Sequence, residues 1–151
     1  MKEKFIVKEA TLNDADKIGE VFDLYRQFYK QPSDIIACTQ YISDRLKNKE
    51  ATIFFIENDG GACLGFTQLY ITFDSVRLSK KIILYDLYVR SEYRKKGIAR
   101  ILMNTAKSFA QHSGVGSIEL STAKDNKIAQ SLYESLSYER DNEFYSYDLS
   151  I

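Results

Sequence analysis

An apolar run from Ile82 to Val89 leads into Tyr93-Arg94-Lys95-Lys96-Gly97-Ile98-Ala99-Arg100, and this junction most narrows the folds open to the chain. The run reads as a strand. After the turn, Ile98, Ile101, Leu102, Thr105, Ala106 and Phe109 recur at helical spacing, so a helix is expected over residues 97–112. A basic turn with one glycine, set between a strand and a helix N-terminus, is suited to receive phosphate. The first N–H groups of a helix have no partners within the helix, and the helix dipole adds partial positive charge there. Gly97 lets the backbone come close to a diphosphate, while Arg94, Lys95, Lys96 and Arg100 surround the site with positive charge. The junction points to a phosphate-bearing cofactor held on main-chain amides.

The rest of the composition sets limits. A chain of 151 residues with 44% hydrophobic content is long enough for one domain with its own core, so residues 1–151 are read as a single domain. No apolar run approaches the ~20 residues that cross a bilayer, and Met1-Lys2-Glu3-Lys4 lacks a signal-peptide core; a cytoplasmic location and no membrane partner are expected. The 21 basic and 21 acidic residues cancel, which argues against a general nucleic-acid binder. Cys38 and Cys63 have no neighbours at metal-ligand spacing and read as isolated buried thiols, so no metal is expected. With 11 Tyr and 9 Phe, the chain has rings enough to line a pocket, although such residues are equally ordinary in strands.

Along the chain, Phe5-Ile6-Val7 opens a strand and Asn13 is a candidate N-cap. Ile18, Val21, Phe22, Tyr25, Phe28 and Tyr29 predict an amphipathic helix over 14–30, ended by Pro32. Ser33 is placed to cap a second helix over 34–48. Thr52 to Ile56 is a strand, Asn58-Asp59-Gly60-Gly61 a hairpin turn, and Ala62 to Phe73 the returning strand. Beyond the helix of 97–112, Ile118 to Ser121 is a further strand and 126–136 a fourth helix. Glu143 to Leu149 alternates as a final strand. The order β-αα-β-β-β-α-β-α-β indicates a mixed α/β layer rather than an alternating doubly wound sheet.

The turn is neither of the common nucleotide loops. The chain contains no Gly-x-x-x-x-Gly-Lys-Ser/Thr, and the three spaced glycines of a dinucleotide fingerprint are missing. Arg94-x-x-Gly97-x-Ala99 instead resembles the Arg/Gln-x-x-Gly-x-Gly/Ala acyl-CoA signature of the GNAT superfamily of N-acetyltransferases. Leu84-Tyr85-Asp86-Leu87-Tyr88-Val89 is similar to the strand that enters that loop. Asn126-x-x-Ala129-x-x-Leu132-Tyr133 is similar to the family's later Asn-x-x-Ala-x-x-Leu-Tyr element, with Ser137 where relatives have glycine. The resemblance covers essentially the whole chain. Within the superfamily it is nearest in pattern to polyamine and diamine acetyltransferases and their histone-acetyltransferase-like relatives.

The resemblance implies a GNAT-type α/β fold: a mostly antiparallel sheet of six to seven strands, splayed between the fourth and fifth, with about four helices. It implies acetyl-CoA as co-substrate. The pantetheine arm would pair with the main chain of Leu87, Tyr88 and Val89, where a backbone N–H polarises the thioester carbonyl. Arg94, Lys95, Lys96, Gly97, Ile98, Ala99 and Arg100 would bind the cofactor, its diphosphate on the amides from Lys95 to Arg100, with Asn126, Ala129 and Tyr133 completing the site. Tyr133 is the implied acid toward the departing sulfur. Tyr25, Tyr29 and Tyr85 would contact substrate, with Pro32, Tyr70 and Phe73 nearby; the other reading of these aromatics, and the favoured one for Tyr25 and Phe28, is the core stripe of the helices.

Asp86 is the first candidate for the base, because Tyr85 stands where polyamine-type relatives have Glu. Glu20, Asp23 and Asp34 remain alternatives, and Asp86 is equally open to a structural hydrogen bond within the sheet. His112 reads as a surface residue at a helix end. The expected reaction is direct acetyl transfer to a primary amine of a small molecule in a ternary complex, with no acyl-enzyme. Acetylation of a protein lysine or N-terminus, and a CoA-binding module without turnover, stay open. A homodimer is in keeping with the family.

Overall fold

Four antiparallel strands form the body of the sheet in the computed structural model, which describes residues 4–151. They are β1 (Ile6–Glu9), β2 (Thr52–Glu57), β3 (Cys63–Asp74) and β4 (Ser79–Val89), and β5 (Ser117–Glu119) joins β4 in parallel; the order in the sheet is β1-β2-β3-β4-β5. Between β1 and β2 run α1 (Ala15–Phe28) and α2 (Ile35–Lys47); α3 (Ile98–His112) connects β4 to β5, and α4 (Lys127–Ser135) follows. The chain divides into two compact units, one ending at Leu120 and one spanning Ser121–Ile151.

In the first unit each face of the sheet is covered by helix. Ile18, Val21 and Phe22 of α1 and Cys38 and Ile42 of α2 pack with Ile53, Phe55 and Phe66. On the opposite face α3 brings Leu102, Met103 and Ala106 into the core, and Phe109 meets Phe54 with ring centres 5.5 Å apart. The α1/α2 contact is unusually close. A Cβ on Gly19 would stand 2.3 Å from Thr39 Oγ1 and 2.9 Å from Thr39 Cα, so the helices meet where one lacks a side chain. Thr11 and Asp14 form the capping box before α1, in place of the expected Asn13 cap, and Asp34 rather than Ser33 caps α2 by accepting from the Ala37 N–H at 3.0 Å.

Two irregularities shape the sheet where the site forms. Gln68 pairs with Asp86 but Leu69 pairs with Leu84, so Tyr85 is an extra residue in β4. Such a bulge bends the strand and re-aims its side chains. In addition, β5 pairs with β4 only from Lys81 to Ile83, leaving the edge of β4 from Leu84 to Val89 without a neighbouring strand among the described residues.

The sheet has five strands, not six to seven. Glu143 to Leu149, read as a final strand, makes no ladder, and Phe144 and Tyr147 are 79% and 93% exposed. Alternation of side chains is a pattern any extended segment can carry, whereas a strand exists only through paired backbone groups. In the second unit, α4 closes with Ser137 at φ 70 and the Tyr138 N–H donating to the Tyr133 carbonyl at 3.0 Å. Serine thus takes the left-handed position that glycine would hold without side-chain cost.

Candidate active site

The direction of the β4 peptides follows from one hydrogen bond. The Arg90 N–H donates to the Leu64 carbonyl at 2.8 Å, making Leu64 and Arg90 a bonded pair. Bonded and non-bonded pairs alternate in an antiparallel ladder. Phe66–Tyr88 is therefore bonded, while Gly65–Val89 and Thr67–Leu87 are not. The main-chain groups of Leu87 and Val89 face the open edge of β4, and those of Tyr88 face β3. The Val89 carbonyl accepts from Arg94 Nε at 3.1 Å. What the edge still offers is the Leu87 N–H and C=O and the Val89 N–H, the arrangement that receives an extended, amide-bearing chain as an added strand.

Immediately downstream the backbone turns sharply into α3. Lys95 has φ 62 and Gly97, the N-cap, has φ 82. No atom lies within 4 Å of where a Gly97 Cβ would stand, so glycine is needed there for its backbone angle and not for lack of room. The first helical bond runs from the Ile101 N–H to the Gly97 carbonyl. The amides of Gly97, Ile98 and Ala99 precede it and donate to no carbonyl among the described residues. They form an open cradle at the positive end of a 15-residue helix. Lys96 Nζ lies over the Tyr93 ring. Arg94 does not spread its charge around the turn as expected: its guanidinium folds back over the rings of Tyr88 and Phe28, 5.3 and 6.0 Å from their centres. It ties the turn to β4 and α1.

The bulge sets Asp86 and Tyr85 on the α1/α2 side of the sheet. Asp86 is 6% exposed; its Oδ2 accepts from Gln68 Nε2 at 2.8 Å, and the Tyr25 hydroxyl also donates to the carboxylate. Burial pushes its carboxyl above the usual range, and these two donors offset that only in part. Gln68 is fully buried, and its Oε1 has no hydrogen-bond partner. A buried amide oxygen left unmatched beside a buried carboxylate is a pair of acceptors short of a donor. Tyrosines enclose it. Tyr25 meets Tyr88 edge-on, the Tyr70 ring lies 5.7 Å from Tyr85, and the Tyr70 and Tyr41 hydroxyls are 3.0 Å apart. Burial, then the Tyr41 contact, raises Tyr70 and keeps it protonated. Tyr85 is 66% exposed, and Tyr29 stands at the rim against Tyr25.

The other carboxylates considered for the base are already engaged. Asp23 accepts from Ser33, the Asp34 N–H and Gln27 at 2.7, 2.7 and 3.0 Å, with the Cys38 thiol nearby. Burial works against its charge, but those donors outweigh burial and hold its carboxyl below the usual range. Asp34 is a helix cap, and Glu20 reaches Arg90 at 3.5 Å. His112 ends α3 with Nδ1 donating to the Ser108 carbonyl at 2.7 Å, away from all of this in its chemistry. In the second unit, Asn126 caps α4 by accepting from the Ala129 N–H at 3.2 Å, and Tyr133 is half-buried with its ring 6.2 Å from Tyr138.

Gln68 and Tyr41 belong to the site without a motif that marks them in the sequence. The signal for Gln68 was there: an amide inside the apolar run Leu64-Gly65-Phe66-Thr67-Gln68-Leu69 must find partners or present its polarity to something.

A strand edge open beside a helix-terminal amide cradle agrees with the profile that matches residues 18–138, that of the acetyltransferase (GNAT) family. The chain belongs to the GNAT family. It is 39% identical over 145 residues to the uncharacterized N-acetyltransferase YhfO of Bacillus subtilis, covering 96% of this chain and 97% of that one. It is 25% identical to a thialysine N-epsilon-acetyltransferase of Caenorhabditis elegans, over 89% of this chain and 82% of the relative. A crystal structure of a probable acetyltransferase superimposes with a TM-score of 0.90 at 35% identity, covering 97% of each chain. This GNAT protein is an acetyl-CoA-dependent N-acetyltransferase. No helix of the described residues is long and apolar enough to cross a membrane, and no cluster of metal-binding side chains occurs among them.

Proposed function

We propose that this GNAT N-acetyltransferase acetylates the primary amine of a small diamine-like molecule, with Asp86 as the group that receives the amine. The observation that carries this reading is the buried Asp86–Gln68 pair, whose acceptor capacity exceeds the donors around it. An ammonium brings three N–H donors on a compact charge, and tyrosine rings suit both its stem and its cation. The thialysine acetyltransferase among the relatives is named for acetylation at an ε-nitrogen, which supports an aliphatic amine as acceptor.

Acetyl-CoA supplies the activated acetyl group. The residues present suit it: the amides of Gly97, Ile98 and Ala99 would hold the diphosphate, and the Leu87 and Val89 edge would hold the pantetheine arm. The Leu87 N–H, fixed by the ladder, would polarise the acyl carbonyl without reorganising. Asp86 must take a proton from the ammonium before nitrogen can attack. Burial raises its pKa, which makes it a better base than an exposed carboxylate. By its resemblance to the family's later Leu-Tyr element, Tyr133 would supply the proton to the departing sulfur.

The test measures CoA thiol release over a panel of diamines, amino acids and an N-terminal peptide, with acetyl-CoA binding followed by thermal shift. Turnover of small amines with little for the peptide is expected. Acetylation of the peptide alone refutes the acceptor class. Acetyl-CoA at about 100 times its Kd should stabilise the fold by about 2.7 kcal/mol, and no shift refutes the cradle.

A further inference from the structure

A cavity of about 410 Å³ opens between α1 and α2, outside the tyrosine ring, and carries one charge of each sign: Arg26 and Asp34. Phe22, Pro32 and Tyr41 form its apolar walls. Arg26 is half-buried, yet its guanidinium's sole polar contact among the described residues is with Cys38 Sγ at 3.7 Å, and no carboxylate comes within ion-pair distance. Asp23 lies behind the same thiol but is already matched by its own donors. Asp34 uses Oδ1 to cap α2 and leaves Oδ2 without a partner among the described residues. A guanidinium in a fixed fork is shaped for a carboxylate, and a free carboxylate oxygen for an ammonium.

We infer that this cavity holds the α-amino-carboxylate head of the acceptor, so that the molecule acetylated is a diamino acid and not a simple polyamine. The carboxylate pairs with Arg26 and the α-ammonium with Asp34. Tyr41 belongs to both places: it walls the cavity and its hydroxyl meets that of Tyr70, whose ring touches Tyr85 at the bulge. Phe22 stacks on the Tyr41 ring and the Arg45 guanidinium lies over it, so an aliphatic stem passes along the Tyr41–Tyr70 hydroxyl edge and carries the second amine toward Asp86 and Gln68. The inference rests on the reading of Asp86 as the amine site and adds what fixes the other end of the molecule.

The matched probes are lysine and 1,5-diaminopentane, which differ by the carboxylate alone. For the wild type, kcat/KM should favour lysine. In Arg26→Gln the lysine-to-diaminopentane ratio should fall ten- to a hundredfold, through KM, and Arg26→Lys should restore part of it. Asp34→Asn, which keeps a capping oxygen, should raise KM for both amines. An unchanged ratio in Arg26→Gln overturns the inference, as does wild-type preference for the diamine. Calorimetry of lysine binding, which needs no turnover, separates this from failure of the acceptor site: binding lost in Arg26→Gln upholds the cavity even if no amine is acetylated. Wild-type protein that does not bind lysine refutes it whatever the activity. Circular dichroism of each variant shows whether the fold is retained.

Discussion

Replacing Asp86 with Asn gives predictions of opposite sign for a catalytic and a structural carboxylate. Asn keeps an oxygen for Gln68 Nε2 and gains an N–H that the unmatched Gln68 Oε1 can accept. The variant therefore loses a buried charge while keeping its pairing with Gln68, and its one oxygen is shared with the Tyr25 hydroxyl. Because burial raises the Asp86 pKa above its unfolded value, the folded protein binds more protons than the unfolded chain between the two values. Stability tied to the protonated form is present at low pH and lost as pH rises from the ordinary carboxylate range through the raised value. Above the raised value the buried charge is a net cost to the fold. Asp86→Asn should thus melt higher than wild type at pH 7, and the two should converge in acid. Activity should fall by about 10²–10⁴, the span of general-base catalysis, and the acidic limb of the kcat/KM profile should disappear. Parallel urea titrations from pH 3 to 8 and steady-state kinetics measure both. A variant less stable at pH 7 by about 1 kcal/mol with near-normal turnover means that Asp86 is a sheet hydrogen bond, and the assignment fails.

Asp23→Asn removes an ion held by three short hydrogen bonds and should cost about 2–4 kcal/mol while leaving the pH–rate profile in place. Because the Asp23 pKa is depressed, wild-type stability from this group is present above the unfolded value and lost as pH falls through the folded one, so the difference between the two proteins narrows in acid. Gly97→Val should weaken CoA binding measured by calorimetry, since a β-branched residue resists φ 82 at the cradle, whereas Gly97→Asn should be milder. Tyr133→Phe should retain CoA affinity and lose roughly 10²-fold in kcat if its hydroxyl supplies the proton; unaltered kcat assigns the tyrosine to packing. Gly19→Ala should lower stability by about 1–3 kcal/mol despite better helix propensity, because the new methyl meets Thr39 backbone as well as its side chain. An Ala variant as stable as wild type means that the helices separate freely there.

Local chemistry made much of this molecule readable from its residues. Ile98 to Phe109 names its helix because burial at 3.6-residue spacing leaves no other regular solution, and Gly97 marks the turn because few side chains tolerate a positive φ. Asn126 could be placed at the start of α4 for the same reason: its side chain satisfies an amide only three residues away. The apparent strand at Glu143–Leu149 failed because its alternation says nothing about a partner.

What the chain order could not contain is the relation of β4 to its neighbours. The extra residue at Tyr85, the parity that turns Leu87 and not Tyr88 to the open edge, and the early end of β5 are properties of a ladder between segments. The meeting of Asp86 with Gln68 and Tyr25, and the isolation of Arg26 in its cavity, join residues 18 to 61 positions apart or leave one without its expected counter-ion. Backbone preference and periodicity act over a few residues, so sequence decides where helices, caps and turns begin. Charge, pKa and acceptor geometry depend on burial and on which strands lie side by side, and only the packed structure decides those.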